Sequence, residues 1–202
     1  MADLTLYTNP RSRGRIAHWM MEELGQPYDL VWLDYATTMK APAYLAINPM
    51  GKVPALGHGS RVVTEYAAIC AYLADAFPQA GLAPADRSGY YRWLFFAAGP
   101  LEAGIINRVL GVSVPEDKRG MVGYRDLPVM LDAIEQALAR HPYLGGDAFS
   151  AVDVSAGSQI GWGLQFGTIE PRPALTAYWD RIRDRPARIR AEAAADTAAK
   201  GA

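Results

Sequence analysis

The sequence of 202 residues has little cysteine, almost no net charge and no long apolar run. Its single cysteine, Cys70, excludes an internal disulfide bond and fits a reducing compartment. The formal net charge of −1 creates no overall positive field, so we expect no binding to nucleic acid or to an anionic membrane. No uncharged apolar run approaches the roughly 20 residues of a membrane-spanning helix, and the first residues lack the apolar core of a signal peptide. These absences predict a soluble protein of the cytoplasm.

Sequence patterns for metal binding, dithiol exchange and phosphate binding are also absent. The histidines His18, His58 and His141 are scattered without the spacing of metal ligands. There is no Cys-x-x-Cys pair, and Cys70 lies within an apolar helical pattern that predicts a buried, inert thiol. No glycine loop of the G-x-x-x-x-G-K-[ST] kind occurs. We therefore expect neither a metal centre nor a redox dithiol.

Strand and helix patterns alternate through residues 1–77 and predict a small α/β domain. Apolar and β-branched residues indicate four strands, the last two joined as a hairpin by a turn at 58–60. The spacing of apolar residues indicates helices over 13–24 and 65–77, with a short helix around 41–46. The predicted strands are Leu4–Thr8, Tyr28–Leu33, Val53–Leu56 and Arg61–Thr64.

The rest of the chain predicts helices only. Residues 78–86 are rich in proline, glycine and alanine, which is typical of a linker. Residues 87–202 then form an all-helical domain, whose first helix, 87–110, we expect to bend at Pro100. We expect the final residues, 197–202, to fray. Further helices are predicted over 121–140, from 150 onward, over 174–183 and over 187–194.

The segment Asn48–Gly59, NPMGKVPALGHG, places Pro54 in a predicted buried strand. Proline donates no backbone hydrogen bond and is normally excluded from the middle of a sheet. Pro54 can be a trans proline on an edge strand. Alternatively, a cis Val53–Pro54 bond would turn the backbone and free the N–H and C=O of Val53 to bind an extended peptide as an added strand. The local sequence leaves both interpretations open.

The run GKVPAL, followed after a turn by VVTEYAAICAYL, closely resembles the glutathione transferase family. The segment Phe149–Asp153 resembles the family's capping box, and Trp179 with Arg185–Ala187 resembles its late helix and turn. The resemblance covers essentially the whole chain and is to a bacterial, Ser/Cys-type member rather than a Tyr-type one. It implies an α/β thioredoxin-like N-terminal domain over residues 1–77, an all-α C-terminal helical domain, glutathione as cosubstrate, and a homodimer.

The resemblance assigns four residues to glutathione directly. In the family the proline is cis, and the residue before it pairs its backbone with the cysteinyl part of glutathione; Val53 and Pro54 would take these roles. Glu65 matches the residue that meets the γ-glutamyl ammonium, although it can also be only a capping charge. Tyr66 stands where the family usually has Ser or Thr, whose hydroxyl and N–H bind the γ-glutamyl carboxylate. Tyr66 keeps the N–H but lacks the small hydroxyl.

Two lysines are candidates to pair with the glycyl carboxylate of glutathione. Lys52 lies just before Val53, and Lys40 lies in the preceding loop. Both can equally be ordinary surface lysines.

The predicted site also needs a group that favours the thiolate. A free thiol has a pKa near 8.5, and lowering it by about two units takes roughly 2.7 kcal/mol. Ser12 is the predicted activating residue, because several classes of the family use Ser or Cys in this loop; it can also be only an N-cap. Asn9 in the same loop and Tyr7 in the strand are rivals. Arg13 and Arg15 add positive charge that can steer an anionic cosubstrate or can simply be solvated.

The resemblance implies a second substrate, a small hydrophobic electrophile, bound between the domains against the start of the long helix. Gly161 and Gly163 would leave room there for a ligand. The expected lining residues are Leu101, Ile105, Arg108, Trp162 and Phe166.

The predicted activity is attack of the glutathione thiol on such an electrophile. Conjugation, peroxide reduction, isomerisation and ether cleavage all remain open as reaction types. The alternative is a non-catalytic binding protein on the same fold, which the unusual Tyr66 favours.

Overall fold

The computed structural model describes residues 3–200 of the chain. Contacts divide the chain into two compact units. Unit 1 runs from the N-terminus to Gly81 and resumes at Asp184, whereas unit 2 comprises Leu82–Arg183. Within residues 3–200, no helix is both long and apolar enough to cross a bilayer. The same residues contain no group of three or more His, Cys, Asp or Glu side chains that could hold a metal ion.

Unit 1 is built on a mixed four-stranded sheet in the order β2-β1-β3-β4. Strand β1 is parallel to β2 and antiparallel to β3, which is antiparallel to β4. Burial alternates along β1, so Leu4 and Leu6 point into the core. The predicted strand order along the chain is confirmed, although β3 begins two residues later than predicted. The strands are β1 Leu4–Thr8, β2 Tyr28–Trp32, β3 Ala55–His58 and β4 Arg61–Thr64.

Three helices of unit 1 connect or follow these strands. Helix α1 ends at Gly25, whose φ of 64° lies in the left-handed region that glycine adopts without strain. Short 3₁₀ turns occur at Thr38–Lys40 and Pro78–Ala80. The helices are α1 Gly14–Leu24, α2 Pro42–Leu45 and α3 Tyr66–Ala76.

Unit 2 is helical throughout its regular elements. The long helix predicted over 87–110 is interrupted by a π-helical turn at Ala97–Leu101, because Pro100 lacks the N–H that an α-helix needs. Residues Glu116–Met121 form a 3₁₀ helix, and α6 begins only where Asp126 accepts a hydrogen bond from the Val129 N–H. The helices are α4 Arg87–Phe96, α5 Glu102–Val109, α6 Leu127–Leu138, α7 Ala151–Gln165 and α8 Pro173–Ile182.

The capping box predicted at the start of α7 is confirmed. The Asp153 carboxylate accepts hydrogen bonds from the N–H and hydroxyl of Ser150. It also accepts one from the Leu144 N–H at 3.0 Å and one from the Tyr178 hydroxyl at 2.8 Å. Asp153 is fully buried, so this one side chain joins a loop, α7 and α8 within unit 2.

The last helix, α9 Pro186–Lys200, belongs to unit 1 and not to the helical domain predicted over 87–202. Its buried face is a stripe of alanines, Ala187, Ala191 and Ala195, spaced by four residues. Side chains this small let α9 pack closely on α1. The contact-based division therefore differs from the predicted domain boundaries.

Helix α9 is also longer than the predicted 187–194. The expected fraying is wrong for residues 197–200, which continue the helix to Lys200. The expectation for Gly201 and Ala202 lies outside the described residues.

Candidate functional site

The peptide bond between Val53 and Pro54 is cis, the isomer that the resemblance implies. It lies just before β3, whose pairing with β1 and β4 begins at Ala55. The ladders of the sheet therefore leave the N–H and C=O of Val53 outside them. The Val53 side chain packs on a buried cluster of Leu33, Met39, Tyr44 and Ala55, which fixes its position.

Three side chains hold the main chain immediately before this bond. The Lys52 carbonyl accepts hydrogen bonds from Tyr44 Oη at 2.5 Å and from Asn48 Nδ2 at 2.8 Å. Lys40 Nζ donates to the Gly51 carbonyl at 2.6 Å. Burial raises the pKa of Tyr44 to about 12, so the phenol keeps the proton that it donates. Sequence reasoning missed Tyr44 and Asn48; an asparagine in a turn-forming segment was the one available signal.

The two lysines proposed for the glycyl carboxylate occupy different positions. The Lys40 ammonium is bonded to the protein's own main chain, so it braces the loop that precedes Val53. Lys52 is exposed, and its carbonyl is the group that Tyr44 and Asn48 hold. Lys40 thus lies at the end of the 3₁₀ turn Thr38–Lys40, and its ammonium reaches the loop that contains Lys52.

Glu65 has the only positive φ among the non-glycine residues that the structure describes. Its φ is 69° and its ψ is 119°. L-residues seldom adopt this region, and such strain concentrates at functional sites. Glu65 is exposed and immediately precedes α3, where the unpaired N–H groups of the helix favour an anion. The neighbouring Tyr66 is buried, with only 5% of its surface exposed, so its ring serves the packing of unit 1.

The loop between β1 and α1 contains both predicted thiol-activating residues, Ser12 and Asn9. Ser12 Oγ donates to the Asn9 carbonyl at 2.8 Å and accepts from the Gly14 N–H at 2.9 Å. The Asn9 amide donates to the Leu33 carbonyl at 2.7 Å and accepts from the Arg11 N–H at 2.8 Å. Ser12 is half-buried and Asn9 is buried. Both side chains therefore help to shape the loop itself. The N-cap of α1 is Arg13, which makes no side-chain cap hydrogen bond, so Ser12 lies one residue before the position that the N-cap alternative requires.

Gly14, the first residue of α1, allows this loop to close against β1. A Cβ atom at this position would lie 2.0 Å from Thr8 Oγ1 and 2.9 Å from Ser12 Oγ. Only glycine leaves the space that the Thr8 hydroxyl occupies.

Tyr7, the other rival for thiol activation, lies within β1. Its half-buried ring contacts that of Tyr44, with 5.8 Å between the ring centroids. It packs with Val53 against the same buried cluster.

The five residues predicted to contact the second substrate all lie in unit 2, in differing environments. Leu101 and Ile105 are buried, Arg108 is exposed, Trp162 is half-buried, and Phe166 is 71% exposed.

The expectation that Gly161 and Gly163 leave room for a ligand is wrong. A Cβ atom at Gly161 would meet the Trp179 ring at 2.5 Å, and one at Gly163 would meet Ile169 at 2.4 Å. These glycines admit the protein's own side chains.

A cavity of about 640 Å³ lies in unit 2 beside the π-helical turn and α5. This volume falls within the range of small-molecule sites. None of the five predicted residues lines it. Pro100 predicted a bend in this helix but was not connected with a ligand site, and the π-helical turn around it is the signal that could have located the cavity. The wall includes apolar Pro100, Ala103, Ile106 and Val122 and polar Glu102, Asn107 and Tyr124.

Comparison with known families and proteins gives a consistent result. The family model described as "Glutathione S-transferase, N-terminal domain" matches residues 12–76, and the one for the C-terminal domain matches residues 122–186. Glutathione S-transferase 3 of Zea mays is 32% identical, over 93% of this chain and 92% of its own length.

Solved structures extend the similarity to the whole fold. A glutathione S-transferase from Xylella fastidiosa superposes with a TM-score of 0.79 at 27% identity, covering 96% of this chain and 98% of its own. A theta-class glutathione S-transferase from Xanthomonas axonopodis pv. citri, with glutathione bound, gives a TM-score of 0.77 at 32% identity. Its alignment covers 95% of this chain and 97% of that one.

Proposed function

Because this chain belongs to the glutathione S-transferase family and is a glutathione transferase, we propose that it activates the glutathione thiol at the N-terminus of α1. The thiolate then attacks a small, hydrophobic electrophile. The N-terminal domain, residues 1–77, would hold glutathione, and the helical domain would contact the electrophile. The relatives are named as transferases, which supports catalysis over the non-catalytic alternative.

The observation that carries this proposal is the main chain of Val53 before β3, whose N–H and C=O take no part in the ladders of the sheet. An extended tripeptide needs a main-chain donor and acceptor that no neighbouring strand uses, and Val53 lies outside the ladders of the sheet. Tyr44, Asn48 and Lys40 hold the preceding carbonyls, so the backbone at Val53 is positioned before a ligand arrives. Such preorganisation lowers the ordering cost of binding.

The ends of glutathione are assigned to the flanking groups. Glu65 would pair with the γ-glutamyl ammonium, and the N–H groups at the start of α3, including that of Tyr66, would bind the γ-glutamyl carboxylate. Lys52 and Lys40 would meet the glycyl carboxylate. The positive φ of Glu65 supports this assignment, because strain at an exposed acidic residue has no packing role to explain it.

Thiol activation is assigned to Ser12, with Asn9 as the alternative in the same loop. The Ser12 hydroxyl would turn from the Asn9 carbonyl to the thiolate, aided by N–H groups in the first turn of α1. In the reaction, the thiol proton goes to solvent, and sulfur forms a bond to the electrophilic carbon as a leaving group departs or a double bond opens.

The electrophile is proposed to contact Arg108, Trp162 and Phe166, which are at least partly exposed. Leu101 and Ile105 are buried, so they would support the helix that contacts the electrophile by packing beneath it. A cytoplasmic location is part of the proposal, because the single cysteine forms no disulfide and is buried.

We further propose a homodimer. Tyr91 and Phe95 lie four residues apart on α4, so they share one face, and they are 43% and 72% exposed. Large exposed apolar side chains at helical spacing are typical of an interface.

The test of this function combines retention on immobilised glutathione with turnover of a generic aryl halide. Ser12→Ala should lower kcat about 10- to 100-fold, the loss of one hydrogen bond to a charged group, while glutathione retention remains. Ser60→Ala, in the exposed turn between β3 and β4, is the matched control and should behave as wild type. Full activity in Ser12→Ala with a loss in Asn9→Ala would move the role to Asn9.

A further inference from the structure

The side chain of Arg15, in the first turn of α1, links the loop between β1 and α1 to helix α9. Its Nε donates to the Pro10 carbonyl within the loop at 2.5 Å. Its two terminal nitrogens donate to Glu192 and, at 2.6 Å, to Asp196, both on α9. The Arg15 side chain is only 19% exposed. One guanidinium thus joins the loop carbonyl to two carboxylates that lie more than 170 residues later in the chain.

We propose that Arg15, held by Glu192 and Asp196, is a positioning residue that fixes the loop carrying Ser12 and thereby controls ionisation of the bound thiol; the second half of this statement rests on the proposed function. A guanidinium is a rigid fork with five N–H donors, so it can satisfy three acceptors at once in a fixed geometry. Lysine has one ammonium on a flexible stem and cannot hold all three.

The Arg15 guanidinium acts on the loop through the Pro10 carbonyl, which accepts its Nε hydrogen bond. This carbonyl belongs to the peptide unit between Pro10 and Arg11, and Asn9 precedes it directly. Ser12 Oγ bonds to the Asn9 carbonyl, and the Arg15 N–H bonds to the Ser12 carbonyl at 3.2 Å. The Ser12 N–H also donates to the Asn9 carbonyl at 3.2 Å, so residues 9–12 form a turn, and the bond from Arg15 Nε to the Pro10 carbonyl restrains the middle of that turn. A displacement of 1 Å at such a site is enough to weaken a catalytic hydrogen bond.

A second contact from α9 supports the same loop. The Arg11 guanidinium donates to the Ala199 carbonyl at 3.2 Å. Helix α9 is therefore linked to this loop at two positions, through Arg11 and through Arg15.

The carboxylates also change the electrostatic role of Arg15. Glu192 and Asp196 both pair with the Arg15 guanidinium, and Glu192 also pairs with Arg188 at 3.8 Å, so Arg15 does not present an unpaired positive charge to a ligand. Arg15 therefore holds the loop in place and does not steer the anionic cosubstrate, which was one of the roles that the sequence allowed. Its effect on the thiol comes from geometry, and a variant that keeps the charge should still lose it.

Two other ion pairs between α9 and α1 provide matched controls. Arg190 binds Glu22 at 2.6 Å, and Arg185, just before α9, binds Glu23 at 2.6 Å. Both lie toward the C-terminal end of α1, away from the loop. They link α9 and the residue before it to α1 at Glu22 and Glu23, at the opposite end of α1 from the loop.

The experiment compares Arg15→Lys with Arg190→Lys in the full-length protein. The first readout is amide hydrogen exchange over residues 9–16 in the absence of glutathione. We expect exchange there to be at least fivefold faster in Arg15→Lys and within twofold of wild type in Arg190→Lys. Equal acceleration in both variants, or none in Arg15→Lys, would overturn the proposal, because the role would then be helix docking alone or no role at all.

The second readout is the ultraviolet absorbance of the thiolate of bound glutathione as a function of pH. Arg15→Lys should reduce the ionised fraction near neutral pH several-fold, with KM for glutathione within threefold of wild type and kcat lowered. Unchanged ionisation in a variant whose loop exchanges faster would contradict the link to the thiol. If Arg15→Lys fails to fold, Glu192→Gln removes one anchor of the fork and should show the same changes at smaller size.

These readouts separate the positioning role of Arg15 from the proposed function. If wild type binds no glutathione or leaves its thiol protonated, the proposed function fails. The exchange comparison still decides whether Arg15 fixes the loop.

Discussion

The Ser12 hydroxyl has one proton, and the loop already uses it. It donates to the Asn9 carbonyl while it accepts from the Gly14 N–H. A neutral hydrogen bond contributes about 1 kcal/mol, whereas one to a charged group contributes about 1.5–3 kcal/mol. A thiolate placed within reach would therefore draw the hydroxyl away from Asn9. The Gly14 N–H would continue to orient the oxygen as it turns.

Glu65 allows strain and binding to be measured separately. Glu65→Gly should leave the free energy of unfolding unchanged or raise it, because glycine adopts a φ of 69° without a Cβ clash. The same change should weaken glutathione binding at least tenfold, since one charged hydrogen-bonding partner is lost. Calorimetric titration and urea unfolding give the two values.

Glu65→Ala is the control for this pair of effects. It removes the carboxylate but keeps a Cβ atom at the same φ, so binding should fall without any gain in stability. Wild-type affinity in Glu65→Gly would refute the assignment of this residue to the ligand.

Among the helices and strands, the bounds are predicted best where neighbouring residues in the sequence determine them. Strand β4 has its predicted bounds. Helix α1 ends before Gly25 as predicted, because a glycine without a side chain adopts the left-handed conformation of a helix C-terminus. Strand β3 begins at Ala55 and not at the predicted Val53, because Pro54 has no N–H to donate to a ladder.

Helices were predicted less well where distant contacts decide them. The sequence of α9 has only a weak apolar periodicity and many polar residues. The length of this helix depends on its packing against α1, which lies far away in the sequence. For the site, Val53, Pro54, Ser12 and Glu65 followed from the resemblance. Tyr44, Asn48 and Arg15 act through bonds to main-chain carbonyls, which leave no pattern in a single sequence.

The capping box of α7 should contribute more to stability than an exposed cap. Asp153→Ala removes the acceptor for two N–H groups and two hydroxyls in a buried environment. We expect the free energy of unfolding to fall by at least about 2 kcal/mol. Asp126→Ala, which removes the exposed cap of α6, is the matched comparison and should cost clearly less. Equal losses in urea unfolding would contradict the role given to burial.

At the scale of the whole molecule, two phenylalanines of nearly equal exposure separate dimer formation from general solubility. Phe95 is 72% exposed and Phe166 is 71% exposed. Phe95→Ser should shift the protein to a monomer in light scattering coupled to size exclusion, because it removes the apolar centre of the proposed α4 interface. Phe166→Ser should leave the dimer intact. A dimer that survives Phe95→Ser, or that Phe166→Ser breaks equally, would place the interface elsewhere.

The most direct measurement of the central claim is the pH titration of glutathione bound to wild type and to Ser12→Ala, followed by thiolate absorbance. We expect the bound thiol to ionise in wild type about two pH units below the value near 8.5 of a free thiol. In Ser12→Ala it should ionise close to the free value. Identical titrations in the two proteins, or a bound thiol that titrates like free glutathione in wild type, would contradict the claim that this loop activates the thiol through Ser12.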